Sequence, residues 1–314
     1  FAKISRKSFA NKIYLMDVAV IIINYNSSKY TLECINTVIE KTSEKIEYQI
    51  IVVDNNSTAS EYKILEDNFP QLPNISLHRS IINTGFGGGN MFGAQFAKAD
   101  YLLFLNNDAM LLNDCLGILL DFMKANPKVG VSTAQNFDEN NKFVPSFDHN
   151  KGLRRLLFGR GFLEKNNPKL YPKRKKEYSE PVQANWINGA FLFFDSKAFA
   201  AVGGFDTNIF LYWEEMDICH RLKKLGYESW LVPDAKILHH QGVSTGTSKA
   251  MNRESYISYL YVLRKNYGFG KYQLIRIYLS IALLLKPKKW YLLPIILKSN
   301  NQTQSLKEKQ KITF

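Results

Sequence analysis

The sequence is poor in cysteine: three among 314 residues, Cys34, Cys115 and Cys219, odd in number and widely spaced. Such a set offers neither a disulfide framework nor the close pairs of a zinc site, so a reducing cytoplasm is the expected setting. Long apolar runs are also missing. Tyr272–Leu285 and Tyr291–Leu297 both stop short of the roughly 20 residues that span a bilayer. The opening stretch is basic but lacks the apolar core of a secretory signal, and Met16 reads as a native start, with residues 1–15 a leader outside the fold. No G-x-G-x-x-G follows the first apolar run, where Asn24-Tyr25-Asn26-Ser27-Ser28 stands instead. That argues against a dinucleotide-binding dehydrogenase. The same turn lacks a Gly-rich loop bearing Arg or Lys, which argues against a sugar-phosphate nucleotidyltransferase.

Negative charge is scarce in particular places. The net charge is +13, but Thr247–Phe314 has thirteen Lys/Arg against Glu254 and Glu308, or +11. Lys151–Glu177 has ten against Glu164 and Glu177, or +8, and the first 16 residues add +4, leaving −10 for the remainder. An acidic core that binds a polyanion needs a cation between them. The basic tail mixes Lys with short apolar runs, Trp and Tyr, the pattern of an amphipathic helix lying on an anionic membrane surface; the plainer alternative is a helix packed on the core. It does not form the single basic face of a nucleic-acid binder, so no nucleic acid is expected.

What remains is a regular alternation. Apolar, β-branched runs predict strands over Val18–Ile23, Tyr48–Val53, Ile75–His78 and from Tyr101 towards Asn106. Helices are predicted from Ser27 or Ser28 to about Lys41, over Ala59–Asn68, from the glycine run to about Lys98, and over Leu112–Ala125. This is the signature of an α/β fold with a mostly parallel, right-handed sheet. The pattern lapses over Asn136–Pro181, predicted as a long loop or lid. It resumes with Trp186–Phe194, a short helix over Ser196–Val202, a helix over Trp213–Leu225 and strands over Glu228–Val232 and Ile237–His240.

Chemistry gathers at strand ends. The run YLLFLNNDA ends in Asn106, Asn107 and Asp108. A hard carboxylate at the carboxyl edge of a buried parallel strand suits Mg2+ or Mn2+ carrying a diphosphate, although Asn and Asp are also ordinary turn formers. Asp54 closes the second strand, and Asn83–Asn90 is a glycine-rich loop whose backbone N–H groups could approach a nucleotide. Glu214, Glu215 and Asp217 open a helix, beside Trp213 as a possible apolar wall. Three acids there either complement the helix dipole or supply a general base or metal ligand. His239 and His240 end a late strand, where an imidazole could join Asp108 at a metal.

In order, VAVIIINYN, IIVVDNNS, NTGFGGGN, LFLNNDA, WINGAFLFF, VGGFD, FLYWEEMDICHRLKKLGY and ILHHQGVSTG resemble the motifs of family 2 inverting glycosyltransferases, in the bacterial rhamnosyltransferase-like branch. The resemblance covers about Asp17–Gly246. It implies a GT-A fold over 17–246, with 136–181 on the acceptor side and 247–314 a basic helical extension. It implies a dTDP- or UDP-sugar donor, a divalent cation, and a glycan or lipid-linked acceptor in bacterial surface polysaccharide synthesis. The protein would then sit peripherally on the cytoplasmic face of the membrane. A galactosyl- or N-acetylhexosaminyl-transferase of the same fold is the nearest alternative. By position, Asp108 matches the last Asp of the family's metal motif, His239 its late metal-contacting His, and Asp54 its base-binding Asp. Asn24, Tyr25 and Asn26 fall in the first nucleotide-contacting turn, and Asn56, Asn83, Gly85, Gly89, Asn90, Asn106, Asn107 and Trp213 complete the donor side. Glu215 matches the general base, usually Asp in the family, with Glu214 and Asp217 as its companions.

Overall fold

The computed structural model describes residues 15–240, 248–298 and 302–313. The expected leader lies almost wholly outside them, as does the expected junction at 246–247. The first half alternates as predicted: β1 (Met16–Asn24), α1 (Ser28–Lys41), β2 (Tyr48–Asp54), α2 (Ala59–Asp67), β3 (Ile75–Arg79), α3 (Gly85–Ala94) and β4 (Ala99–Asn106). Then come β5 (Ala109–Leu111), α4 (Cys115–Ala125), β6 (Val129–Phe137), β7 (Phe143–Val144) and β8 (Phe147–Asp148). Helices α5 (Leu153–Phe158) and α6 (Arg160–Asn166) precede β9 (Val182–Ala184), β10 (Trp186–Ile187), β11 (Phe191–Asp195), α7 (Ser196–Ala201), α8 (Glu214–Lys224) and β12 (Glu228–His239). The chain ends in α9 (Lys249–Tyr267), α10 (Phe269–Leu284) and α11 (Leu293–Leu297), with short 3-10 turns around them.

The main sheet runs β3-β2-β1-β4-β11-β6-β12-β5. Strands β3, β2, β1 and β4 are parallel, β11 is antiparallel between β4 and β6, and β12 is parallel to β6. This is a mixed, mostly parallel central sheet with helices on both faces. Along β1, Val18, Val20 and Ile22 enter the core under α1 and α4, while Ala19 and Ile21 enter the one containing Phe104, Phe194, Phe199 and Phe205. Burial on both faces is why these strands read as continuous apolar runs.

Four differences from the sequence reading have physical reasons. Strand β6 is fully buried yet carries Ser132, Thr133, Gln135 and Asn136, so no apolar run announces it. The two strands expected over 228–240 are one strand, β12, with an irregularity between Val232 and Lys236 where Pro233 cannot donate to a ladder. Residues 136–181 are not structureless: α5 is pinned by Asp148, which takes 2.8 Å and 3.2 Å hydrogen bonds from the Arg155 guanidinium, and α6 is tied to the following segment by Glu164, which accepts from the Arg174 N–H at 3.2 Å. The C-terminal helices build a third core, where Tyr272 and Ile275 meet Leu260, Leu263 and Met216. Helix α10 is not amphipathic. Its inner face is buried, but Leu274, Ile277, Ile281 and Leu284 on the opposite face are exposed. Among the described residues no helix is long and apolar enough to cross a membrane.

Candidate active site

Strand register brings the site together. Asn24 pairs with Asp54 and Ile23 with Asn106, so β1, β2 and β4 end at one carboxyl edge. There a cavity of about 490 Å³ opens, lined in part by Tyr25, Asn83, Asp108, Glu214, Glu215 and His239. Short β5, just past Asp108, pairs antiparallel with the end of β12, setting His239 opposite Ala109. The His239 Nε2 then lies 3.2 Å from Asp108 Oδ1. His240 follows the same path only with its backbone, donating to the Asp108 carbonyl at 3.0 Å, while its ring pairs with Glu139.

Among the described residues no cluster of three or more metal-binding side chains exists. The facing carboxylate and imidazole nevertheless fit a divalent ion that takes its other ligands from a diphosphate and water, as Mg2+ sites commonly do.

The acids divide by environment. Tyr212 and Trp213, just before α8, both adopt left-handed backbone at φ 72°. Such strain in non-glycine residues concentrates at functional sites. It aims Glu214 and Glu215 into the cavity. Glu214 is 2% exposed, and its Oε1 has no hydrogen-bond partner among the described residues. Burial, and then the neighbouring Glu215 charge, push its carboxyl well above the ordinary range. Burial raises Glu215 too, but hydrogen bonds from its own N–H and that of Gly189 stabilise its charged form and oppose the rise. Of the coupled pair, Glu214 is the one whose carboxyl is pushed up well above the ordinary range. A side chain on Gly189 would sit 2.3 Å from Glu215 Oε1. The missing Cβ makes the room that the Glu215 side chain occupies.

Asp217 goes elsewhere. It is fully buried and accepts hydrogen bonds from Arg221 (2.8 Å), Lys265 (3.0 Å) and Asn266 (2.7 Å), tying α8 to α9. Trp213 also lies outside the cavity lining, its ring against Tyr259 at 4.8 Å and its Nε1 donating to Ser255.

Of the expected donor-side residues, Tyr25, Asn83, Gly85, Asn90, Asn106 and Asn107 line the cavity. Gly85 must be glycine: φ is 75°, and a Cβ would meet the Phe210 carbonyl oxygen at 1.9 Å. Asn24 and Asp54 stand one layer back, both fully buried, with Asn24 Nδ2 donating to Asp54 Oδ1 at 2.9 Å. Asn26 accepts from the Thr58 N–H, Asn56 contacts the C-terminal segment, and Gly89 admits Asn55 and Ile23 against α3. Asn55, absent from the sequence reading, lines the cavity in place of its two neighbours and donates to Asn83 Oδ1 and the Gly85 carbonyl. Asn188, Tyr212, Met251, Leu306 and Gln310 are further lining residues with no local sequence signal.

The family model of Glycosyl transferase family 2 matches residues 19–193, more than half of the chain. The chain belongs to this family. It is a glycosyltransferase with an α/β fold of the GT-A type. It is 28% identical over 240 residues to the N-acetylglucosaminyl-diphospho-decaprenol L-rhamnosyltransferase of Mycobacterium tuberculosis, covering 71% of this chain and 76% of that one. It is 26% identical over 257 residues to the rhamnosyltransferase WbbL of Escherichia coli K12, covering 79% and 93%. In structure it is similar to GalNAc-T7 with UDP, GalNAc and Mn2+, with a TM-score of 0.59 and 16% identity over 80% of this chain and 48% of that one. That likeness concerns the fold.

Proposed function

We propose that this glycosyltransferase transfers a sugar, rhamnosyl by preference, from a dTDP- or UDP-sugar to a glycan or lipid-linked acceptor, with inversion. The observation that carries the reading is one cavity lined by the carboxyl group of Glu215 and by the facing pair Asp108 and His239. Inversion is a single in-line displacement: the acceptor hydroxyl attacks the anomeric carbon, Glu215 takes its proton, and the nucleoside diphosphate leaves. Asp108 and His239 would hold Mg2+ or Mn2+, whose chemistry here is to neutralise the leaving diphosphate. Asn107 braces the strand end beside Asp108, its Nδ2 donating to Ser27 Oγ at 2.7 Å and Thr31 Oγ1 at 2.9 Å. The rhamnosyl preference and the lipid-linked acceptor rest on the two named relatives. Incubating the chain with a panel of dTDP-, UDP- and GDP-sugars plus Mg2+ or Mn2+ should release nucleoside diphosphate from dTDP-rhamnose fastest. No release from any dTDP- or UDP-sugar would overturn the reading.

The same reading puts the protein on the inner face of the cell membrane. The outer face of α10 is apolar, and exposed Lys271, Lys286, Lys288 and Lys289 flank it, with no acid between Glu254 and Glu308. Apolar burial and attraction to anionic lipid add together in such a helix. Replacing Ile277 and Ile281 by Glu should abolish sedimentation with phosphatidylglycerol vesicles and leave hydrolysis of the soluble donor intact. Equal sedimentation of the double variant would refute this role for α10.

A further inference from the structure

The cavity has a wall made by residues far from the rest of the site in sequence. Leu306 and Gln310, in the segment 305–313, line it opposite the strand ends. Attachments at both ends hold that segment, and between them Lys307 Nζ donates to the Thr207 carbonyl at 2.8 Å. At one end, the carboxylate of Glu254 on α9, 1% exposed, accepts Ser305 Oγ at 2.6 Å and the Leu306 N–H at 2.7 Å. At the other, the Thr313 N–H donates to the Ile81 carbonyl at 2.9 Å, and Asn56 Nδ2 donates to the Lys311 carbonyl at 3.3 Å. Ile81 and Asn56 belong to the loops that follow β3 and β2 at the carboxyl edge of the sheet. The segment is thus a strap running from α9 to the ends of β2 and β3.

A buried carboxylate that makes no ion pair among the described residues is a costly way to fix a surface turn. Glu254 offers two acceptor oxygens, and the strap supplies one donor to each, which orders its first turn just where Leu306 faces inwards. Gln310, one helical turn on, closes that turn by donating to the Leu306 carbonyl at 2.9 Å. The two lining side chains are therefore held relative to each other and to the cavity.

We propose that Leu306 and Gln310 form part of the binding site for the donor's nucleoside diphosphate, and that Glu254 is a positioning residue that holds them there. This inference rests on the nucleotide-sugar reading above. The strap excludes water from one side of the bound nucleotide and completes a site that the strand ends leave open. It must loosen for exchange of donor and product, and its attachments, all hydrogen bonds near the surface except those to Glu254, allow that.

The test measures binding of dTDP and UDP alone, with Mn2+, by calorimetry on the full chain, together with steady-state kinetics. Leu306→Ala and Gln310→Ala should each weaken binding about tenfold and raise donor KM in step, while kcat at saturating donor changes far less. Glu254→Ala should do the same, with partial recovery in Glu254→Gln, which keeps one acceptor oxygen. Bound nucleotide should also slow tryptic cleavage at Lys307, Lys309 and Lys311. If unaltered chain binds nucleotide while both lining variants, melting normally, bind it equally well, the strap is not part of the site. If unaltered chain binds neither nucleotide, the nucleotide-sugar reading itself fails.

Discussion

Replacing Glu215 by Gln is expected to lower kcat by about 10²–10⁴-fold, the usual contribution of general base catalysis, with donor affinity nearly unchanged. The substitution keeps size and hydrogen bonding and removes only basicity. Glu214→Gln is the informative partner. Glu214 is the deeper of the two, and burial pushes its carboxyl well above the ordinary range, so a neutral amide imitates the form that burial favours and kcat should fall far less. The pH profile adds an independent reading. Burial raises the Glu215 pKa, so the base is protonated and inactive below that pKa, and kcat should rise with pH through a point above the ordinary carboxylate range. The rise should vanish in Glu215→Gln. The stability effect of Glu214 has the opposite sense. Its folded pKa is raised, so the folded state binds the proton more tightly than the unfolded chain, and that contribution is lost as pH climbs through the folded value. Loss of turnover in Glu214→Gln with normal turnover in Glu215→Gln would reverse the assignment. Glu215→Asp should retain partial activity, because it keeps the carboxylate but shortens its reach across Gly189.

The parts of this protein that were legible in its sequence are those whose physics is local. Strands buried on both faces announce themselves as runs such as Val18–Ile23, and a parallel sheet dictates that their polar ends meet at one edge. Asp108 and His239 could be named because each follows such a run. The glycine run was equally plain, and the Gly85 backbone explains why that loop contains glycine, whereas the expected cap at Ser27 makes no side-chain capping bond. Position within a strand end was less legible. Asp54, Asn55 and Asn56 are adjacent, but only Asn55 turns into the cavity, since Asp54 is engaged by Asn24 and Ser57 and Asn56 by the strap. Asp217 shows the same limit. Its spacing from Glu214 gave no hint that Lys265 and Asn266, half a hundred residues on, would claim it. Strand β6 was invisible because its polar side chains are buried with the strand, and no periodicity reports a tertiary partner. The cavity walls supplied by Asn188, Leu306 and Gln310 are a matter of topology alone.

Asp108→Ala should reduce kcat/KM by about a thousandfold, or ~4 kcal/mol of transition-state stabilisation, which is the scale on which a metal ion neutralises developing charge. Asp108 is the carboxylate that faces His239 in the cavity, 5% exposed and 3.2 Å from that imidazole. Removing it leaves a single nitrogen ligand, too few to place an ion against two phosphates. The loss should therefore appear in two measurements. Nucleoside diphosphate should bind the unaltered chain much more tightly with Mn2+ than with chelator, and Asp108→Ala should bind it equally weakly in both. His239→Ala should lie between, since it leaves the charged ligand in place. Asn107→Ala, which removes the brace to Ser27 and Thr31 but no ligand, should weaken the metal dependence without erasing it. A fold defect is separable by the melting temperature without metal, which should shift little, since the His240 N–H bonds the Asp108 backbone carbonyl that the substitution keeps. If the unaltered chain turns over at full rate in excess chelator, the carboxylate and imidazole serve some purpose other than a cation, and charge on the leaving diphosphate must be met by the cavity's amide groups instead.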